Sequence, residues 1–275
     1  MKFGFVTCVQ LGLSCMETIY QVGGRLDLAV TLPDDRATAK SGRVFLDGFC
    51  DRHGVELVKS PNVNDDAVRE AITAKDIDWL FIIGWSQIAR PELLATPGRG
   101  VLGMHPTLLP EGRGRAAVPW AILKGLPETG VTLFQLDEGV DTGPIIAQRR
   151  IPLSAETTAT TLYADVERAH TRLIADVWPA LVADRLQPRP QNPASGSVWP
   201  GRRPEDGEIR EDMTVADALR LVRATTRPYP GAFHRRPNEV LRIWSATPDV
   251  AGRREPRLRL VDGSINAVDY TVETP

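Results

Sequence analysis

The stretch VLGMHPTLLPEGRGRAAVPW, residues 101–120, decides the fold and points to a site. Its apolar beginning predicts a short buried β-strand that ends at His105. The run RAAVPWAILKG behind the loop predicts a helix with Pro119 in its first turn, where proline is tolerated. Because ligands collect at the carboxyl ends of strands in open α/β sheets, we expect His105 to lie at the edge of a binding site.

Short apolar runs alternate with helical runs ahead of this stretch. Strands are predicted for KFGFVTC, LDLAVTL, VELVKS and WLFIIG, and helices for SCMETIYQVGG and NDDAVREAITAKDID. This alternation predicts crossover connections and a largely parallel sheet. The expected fold class is therefore α/β, with a Rossmann-like, mostly parallel sheet in an N-terminal domain.

The second half of the chain changes character twice. Two strands joined across a VDTG turn are predicted for ETGVTLFQLDEG and GPIIAQRRIPL, followed by a long amphipathic helix capped by Ser154. Proline, glycine and serine then dominate residues 187–207, which predicts a linker. We expect a catalytic domain over residues 1–190, a linker over 191–207 and a small, mostly-β (OB-like) domain over 208–275.

Composition excludes several classes of protein. The chain has 275 residues, a net charge of −2 and a pI of about 6.1. These values argue against a protein that binds nucleic acid with its whole surface, because such a protein would be strongly basic. Cys8, Cys15 and Cys50 form no C-x-x-C pair, and the four histidines are scattered, so we expect neither a disulfide framework nor a metal site. The sequence shows no basic leader and no apolar run of the roughly 20 residues that a membrane span needs. We expect a cytoplasmic protein that does not bind a membrane.

Proton transfer is the chemistry suggested by His105 and the acidic loop DEGVDTG, residues 137–143. A histidine titrates near neutrality and can move a proton at working pH. A carboxylate bonded to its ring orients the ring and stabilises the charged form, and Asp141, which follows a predicted strand, could reach it. Taken alone, His105 also fits a structural role, and DEGVDTG fits an ordinary turn.

The motifs HPTLLPEGRG and ETGVTLFQLDEGVDTGPII together resemble those of the 10-formyltetrahydrofolate-dependent formyltransferases, which act on methionyl-tRNA, glycinamide ribonucleotide or nucleotide-linked aminosugars. Residues 223–233, RATTRPYPGAF, resemble the small C-terminal domain of the tRNA and aminosugar branches. The resemblance implies that 10-formyltetrahydrofolate is the formyl donor and that a substrate amine attacks its formyl carbon. It also implies that His105 and Asp141 are catalytic and assist removal of the amine proton.

One catalytic position departs from the family pattern. An asparagine two residues before the histidine steadies the oxyanion in the family, whereas this chain has Gly103. Loss of such a donor costs about 100- to 1,000-fold in rate. We expect Gln87, at the end of the neighbouring strand, to be the catalytic replacement, and His105 itself or a backbone N–H is the alternative. A slow enzyme, or a scaffold without transferase activity, would also explain the glycine.

The resemblance also implies a folate pocket between the loop after WLFIIG and the acidic loop. The expected folate contacts are Trp85, Ser86, Ile88, Asp137, Glu138, Gly139 and Val140. Core packing is the alternative for Trp85. The expected substrate contacts are Thr107, Leu109, Arg113 and Arg115. Guanidinium groups near a helix start suit phosphate, and two solvated arginines are the alternative.

The substrate is indicated by charge. From Gly201 onward the sequence has 13 Arg, no Lys and 12 Asp or Glu, so the small domain is nearly neutral. Because tRNA phosphates need a basic surface, we expect a nucleotide-linked aminosugar as the small-molecule amine, and not tRNA. A methionyl-tRNA formyltransferase is the alternative within the family, and a non-catalytic folate or nucleotide-sugar binding protein is the alternative of another class. A dinucleotide oxidoreductase would need a G-x-G-x-x-G sequence after the first strand, which is missing. An exposed edge of the small domain would offer a surface for a homodimer.

Overall fold

The computed structural model describes residues 1–39, 42–249 and 256–274. The strands are β1 (Phe3–Val6), β2 (Leu28–Thr31), β3 (Glu56–Lys59), β4 (Trp79–Ile82), β5 (Gly100–His105), β6 (Arg113–Gly114), β7 (Glu128–Gln135), β8 (Ile145–Pro152), β9 (Val198–Trp199), β10 (Ala232–Arg236), β11 (Glu239–Pro248), β12 (Arg257–Leu260) and β13 (Gly263–Glu273). The α-helices are α1 (Gln10–Gln21), α2 (Asp47–His53), α3 (Asp66–Ala74), α4 (Pro91–Leu94), α5 (Ala117–Leu123), α6 (Ala159–Val182) and α7 (Val215–Thr225).

Seven strands form one sheet in the order β3-β2-β1-β4-β5-β7-β8. The strands from β3 to β5 run parallel to their neighbours, and β7 runs antiparallel to β5. The register places Gly103 opposite Ile82 of β4 and His105 opposite Thr132 of β7. The expected α/β class and the mostly parallel sheet are confirmed.

Apolar residues cover both faces of this sheet, which explains why its strands read as continuous apolar runs. In β1, Phe5 belongs to one buried cluster and Val6 to another, and in β4, Phe81 and Ile82 divide in the same way. The first cluster includes residues of α1 and α6, and the second includes residues of α3. Because β4 and β5 are parallel neighbours, the loops that follow them leave the same edge of the sheet.

A second sheet contains four antiparallel strands in the order β10-β11-β13-β12. Helix α7 contributes Leu221 and Val222 to a buried cluster with Ile243 of β11. The helix begins after Thr214, whose side chain accepts a hydrogen bond from the backbone N–H of Asp217. The mostly-β character expected for the small domain is confirmed.

Two compact units are distinguished by their internal contacts. The first unit comprises Met1–Arg113, Gly130–Arg150 and Glu167–Ser197, and the second comprises Gly114–Thr129, Ile151–Val166 and Val198–Pro275. Each unit therefore draws on separated parts of the chain. The boundaries expected from composition, at residues 190 and 207, follow the chain and not these contacts, and they stay a prediction.

Helix α6 begins later than the sequence predicts. Its first residue is Ala159, so the expectation that Ser154 caps it is wrong. The backbone N–H of Ser154 donates to Thr157 Oγ1 in the preceding turn, and Thr158 Oγ1 accepts from the N–H of Thr161 at 3.2 Å. Thr158 therefore satisfies one of the N–H groups that the first turn of a helix leaves open.

All three cysteines are buried and free. Burial raises the pKa of the Cys50 thiol to about 11, which suppresses thiolate chemistry there. Within the described residues, no three His, Cys, Asp or Glu side chains come together as ligands for a metal ion. In the same part of the chain, no helix is both long and apolar enough to cross a bilayer.

Candidate active site

His105 ends β5 and is 7 % exposed. Its Nε2 atom lies 2.7 Å from the carbonyl oxygen of Gly112. Because a carbonyl oxygen only accepts hydrogen bonds, Nε2 carries the hydrogen, and Nδ1 is the ring nitrogen that can take up a proton. Nδ1 lies 3.5 Å from Oδ2 of Asp141. The structure therefore brings together the two residues that the motifs indicated as a pair.

The loop that carries Asp141 is braced internally. The carboxylate of Asp137 accepts a hydrogen bond from Thr142 Oγ1 at 2.7 Å. At Gly143, a Cβ would lie 1.8 Å from the carbonyl oxygen of Gln135, so only glycine fits. Asp141 has a φ of +55°, in the left-handed region that aspartate tolerates better than most residues. These constraints set the shape in which the loop presents the Asp141 carboxylate to the imidazole.

The loop after β5 is fixed by two polar side chains from β7 and β8. Thr132 Oγ1 donates to the carbonyl oxygen of Thr107 at 2.7 Å and accepts from the N–H of Leu109 at 3.0 Å. Gln148 Nε2 donates to the carbonyl oxygen of Leu109 at 2.8 Å. The loop is thereby bent so that the carbonyl group of Gly112 returns to the imidazole.

Arg113 is buried, at 8 % exposed, and it is bound by a glutamine that the sequence analysis missed. Its Nε and Nη2 atoms donate to Gln191 Oε1 at 3.1 and 2.7 Å. Gln191 Nε2 donates to the carbonyl oxygens of Asp141 and Gly143 at 2.9 and 2.8 Å. No acidic side chain pairs with Arg113 within the residues that the structure describes. Gln191 lies in a segment without periodicity, and no pattern in the sequence singles it out.

The other expected substrate contacts differ in exposure. Thr107 is 1 % exposed, and its Oγ1 has no hydrogen-bond partner in the described part of the chain. The side chain of Leu109 packs in a small apolar cluster, and its backbone N–H and carbonyl groups are bonded to Thr132 and Gln148. Arg115, unlike Arg113, is exposed.

The loop after β4 carries the expected folate contacts. Trp85 packs against a buried cluster, and its Nε1 donates to Gln87 Oε1 at 3.1 Å. Gln87 Oε1 also accepts from the N–H of Val63 at 2.8 Å, and Gln87 Nε2 donates to the carbonyl oxygen of Pro61 at 2.8 Å. The side chain of Ile88 is 72 % exposed. Gln87 therefore ties this loop to the turn before α3.

The remaining expected folate contacts are all exposed to solvent. The exposed residues are Ser86, Asp137, Glu138, Gly139 and Val140. Val140 is an apolar side chain that is 55 % exposed. Both loops therefore present an apolar side chain among polar ones.

Gly103 occupies the place where the family pattern has asparagine, and the side chain of Leu136 fills the space that a side chain at position 103 would need. A Cβ at Gly103 would lie 2.6 Å from Leu136 Cδ2 and 3.2 Å from Leu136 Cγ. A side chain at 103 would therefore have to displace Leu136. Gly103 therefore offers no side-chain amide at this position.

The arrangement can exchange a proton with a group that approaches Nδ1 of His105. An imidazolium formed there would contact one acceptor at each ring nitrogen, the carboxylate of Asp141 and the carbonyl of Gly112. Arg113 adds a positive charge whose only polar partner among the described residues is a neutral amide. The cluster therefore combines an acid–base pair with a guanidinium group suited to an anion.

Comparisons with known proteins found matches over most of the chain. The model of the formyl transferase family matches residues 36–178, and the model of the formyl transferase C-terminal domain matches residues 202–272. The methionyl-tRNA formyltransferase of Anaeromyxobacter dehalogenans (strain 2CP-C) is 28 % identical over 252 residues, which cover 90 % of this chain and 80 % of that protein.

Two solved structures show the shared fold. The N-formyltransferase from Helicobacter canadensis, in complex with folinic acid and dTDP-3-aminofucose, has a TM-score of 0.73 at 19 % identity, covering 97 % of this chain and 98 % of that chain. HypX from Aquifex aeolicus, in complex with tetrahydrofolic acid, has a TM-score of 0.70 at 18 % identity, covering 98 % of this chain and 44 % of that chain.

Proposed function

Because this chain belongs to the formyl transferase family, we propose that it moves a formyl group from 10-formyltetrahydrofolate to the amine of a nucleotide-linked aminosugar. The observation that carries the proposal is the acid–base pair, in which Nδ1 of His105 lies 3.5 Å from Oδ2 of Asp141 while Nε2 is bonded to Gly112. An amine that attacks a formyl carbon must lose a proton, and this pair is built to accept one.

The proposed mechanism assigns the proton to one ring nitrogen. The bound donor supplies the formyl carbon that the amine nitrogen attacks. His105 takes the amine proton on Nδ1, and Asp141 stabilises the imidazolium that results. Gly112 holds the other N–H, so the ring keeps its orientation while the proton passes back from Nδ1 to the leaving nitrogen. General acid–base catalysis of this kind contributes about 10²- to 10⁴-fold in rate.

The residues on the two loops fit a folate. Ile88 and Val140 are largely exposed apolar side chains, which the flat ring of a folate would cover. Ser86 and the segment 137–139 supply exposed polar groups beside them. We assign these residues to donor binding and give Trp85, packed against the core, the role of supporting their loop.

The oxyanion donor is proposed to be Gln87. Its Nε2 makes one hydrogen bond, to Pro61, so one of its two N–H groups makes no bond within the described residues. The buried hydroxyl of Thr107, which also lacks a partner there, is the second candidate. Loss of the true donor should lower kcat by about 100- to 1,000-fold, so Gln87→Ala and Thr107→Val separate the two.

Arg113 supports an anionic substrate. Its buried guanidinium is held by a neutral amide, so a phosphate group would supply the charge that the described residues do not. We propose Arg113 as the substrate contact, and the contacts expected at Thr107, Leu109 and Arg115 stay predictions. Methionyl-tRNA is the second candidate, because the curated relative that is 28 % identical carries that activity in its name.

Product analysis with a panel of amines tests the function. The protein is incubated with 10-formyltetrahydrofolate and dTDP-3-aminofucose, other aminosugar nucleotides or methionyl-tRNA, and products are detected by mass. We expect a formyl gain on an aminosugar nucleotide that disappears in His105→Ala. If methionyl-tRNA is the sole compound of the panel to be formylated, the proposal of an aminosugar substrate is wrong. A melting temperature raised by folinic acid without any product would indicate a non-catalytic binding protein.

Two further expectations stay predictions. The cytoplasmic location rests on the sequence, and fractionation of cells checks it. The homodimer rests on the exposed edge of the small domain, and light scattering of the purified protein checks it.

A further inference from the structure

Gln191 joins two parts of the proposed site that lie far apart in the chain. We propose that Gln191 is a positioning residue for formyl transfer, which holds the guanidinium of Arg113 and the loop of Asp141 in one fixed arrangement. The proposal rests on the proposed function and adds a residue that contacts neither the reacting atoms nor the imidazole in the hydrogen bonds described above.

The amide of Gln191 uses its full hydrogen-bonding capacity. Its oxygen accepts two hydrogen bonds from Arg113, at 3.1 and 2.7 Å. Its two N–H groups donate to the carbonyl oxygens of Asp141 and Gly143, at 2.9 and 2.8 Å. A flipped amide would place N–H groups against a guanidinium and an oxygen against two carbonyls, so one orientation is selected. Because the group is partly buried and fully bonded, it is stiff.

The guanidinium is also confined on its other side. A Cβ at Gly196 would lie 2.7 Å from Arg113 Nη1, so the absence of a side chain there makes room for the guanidinium. An anion that binds Arg113 therefore acts on a group that shares its amide partner with Asp141. The amide thus links binding of an anionic substrate to the position of the carboxylate beside His105.

Substitutions at Gln191 separate this role from a general contribution to stability. Gln191→Ala removes all four bonds, and Gln191→Glu keeps an acceptor for Arg113 but sets a carboxylate oxygen against two carbonyls. We expect both to lower kcat by about 10- to 100-fold. Effects of this size are seen when a residue that supports a functional group is removed, or when a reacting group is displaced by about 1 Å. We expect Gln191→Glu also to raise KM for dTDP-3-aminofucose, because the new carboxylate neutralises Arg113. Asn192→Ala is the matched control, since within the described residues the Asn192 side chain bonds only the nearby N–H of Ala194.

A double-mutant cycle tests whether Gln191 acts through Asp141. In an Asp141→Asn background, Gln191→Ala should lower kcat by less than about threefold, because the effects of substitutions within one hydrogen-bond network are not additive. A full and independent loss in that background would overturn the proposal.

A spectroscopic readout keeps the test independent of turnover. The ring-nitrogen NMR signals of His105 should move in Gln191→Ala in the same direction as in Asp141→Asn and stay unchanged in Asn192→Ala. Unmoved signals in Gln191→Ala would overturn the positioning role. If the signals move as expected but no amine of the panel is formylated, the proposed function fails and the positioning of the His105–Asp141 pair stands.

Discussion

The loops after β4 and β5 leave the same edge of the sheet, yet they are built differently. The loop after β5 runs between two buried residues, His105 at the end of β5 and Arg113 in β6, which are 7 % and 8 % exposed and are each hydrogen-bonded to a defined partner. The loop after β4 is tied down through Gln87 but leaves Ile88 72 % exposed. Buried polar groups are fixed by their own hydrogen bonds, whereas an exposed apolar side chain gains free energy when a ligand covers it.

This difference assigns two kinds of work. The loop after β5 sets the geometry of proton transfer before any ligand binds, so substitutions around it should act on kcat. Apart from Gln87, whose amide is the proposed oxyanion donor, the loop after β4 supplies contact surface, so substitutions of its exposed residues should act on the affinity for the donor. The contrast between the two loops is wrong if a substitution around the loop after β5 changes only donor affinity, or if one at an exposed residue of the loop after β4 changes only kcat.

Asp141→Asn should have the largest effect. The amide keeps the shape of the carboxylate but removes the charge that stabilises an imidazolium at His105, so kcat should fall by about 10²- to 10⁴-fold. KM for the donor should stay near its original value, as initial rates at varied donor concentration will show. Glu138→Gln removes a charge from the same loop and should leave kcat almost unchanged. Equal losses in the two variants would mean that the loop responds to charge in general.

Arg113→Leu should come next. Loss of a hydrogen bond to a charged group costs about 1.5–3 kcal/mol, which is about 10- to 150-fold in kcat/KM for an anionic amine. Arg115→Leu is the matched control, because Arg115 is exposed and two residues away in the same GRGR sequence. We expect it to cost less than about threefold, as weak exposed charge interactions do. A reversed order of the two losses would contradict an assignment based on burial.

The pair Arg113 and Arg115 also shows where the sequence stops being informative. Both stand in GRGR, and a loop has no periodicity that indicates which side chain is buried. His105 and Asp141, in contrast, lie at the ends of strands that their apolar runs predict, so their meeting at one edge follows from topology. The fold class was predictable for the same reason.

Contacts between distant segments could not be predicted. Gln191 lies in QPRPQNP, a run that indicates a linker, while its partners are Arg113 and the loop of Asp141. The space over Gly103 is filled by Leu136, which lies beyond the end of the neighbouring antiparallel strand. In both cases the local sequence does not indicate the contact, because the contact depends on packing between segments that are distant in the chain.

Gly103→Asn sharpens the comparison at the end of β5. Its Cβ would lie 2.6 Å from Leu136 Cδ2, so overpacking should lower the free energy of unfolding by about 1–3 kcal/mol. In a Leu136→Ala background the same substitution should cost less, with a coupling of about 0.5–3 kcal/mol. Urea unfolding of the two single variants and the double variant measures the coupling. An equal cost in both backgrounds would show that Leu136 is not what excludes a side chain at 103.

Ile88→Ser should have the smallest effect, and it tests the open side of the comparison. The side chain is 72 % exposed, so its loss should change the free energy of unfolding by less than about 0.5 kcal/mol. A folate that covers part of it would lose about 0.8 kcal/mol per buried CH₂, which is about 3- to 10-fold in Kd. Calorimetric titration with folinic acid measures this, and Val261→Ser, at a side chain that is 63 % exposed in the second sheet's β12–β13 turn, is the control for general loss of apolar surface. If Ile88→Ser leaves Kd unchanged but lowers kcat, the exposed apolar surface of the loop after β4 takes part in the chemistry beside Gln87, and its assignment to donor binding is wrong.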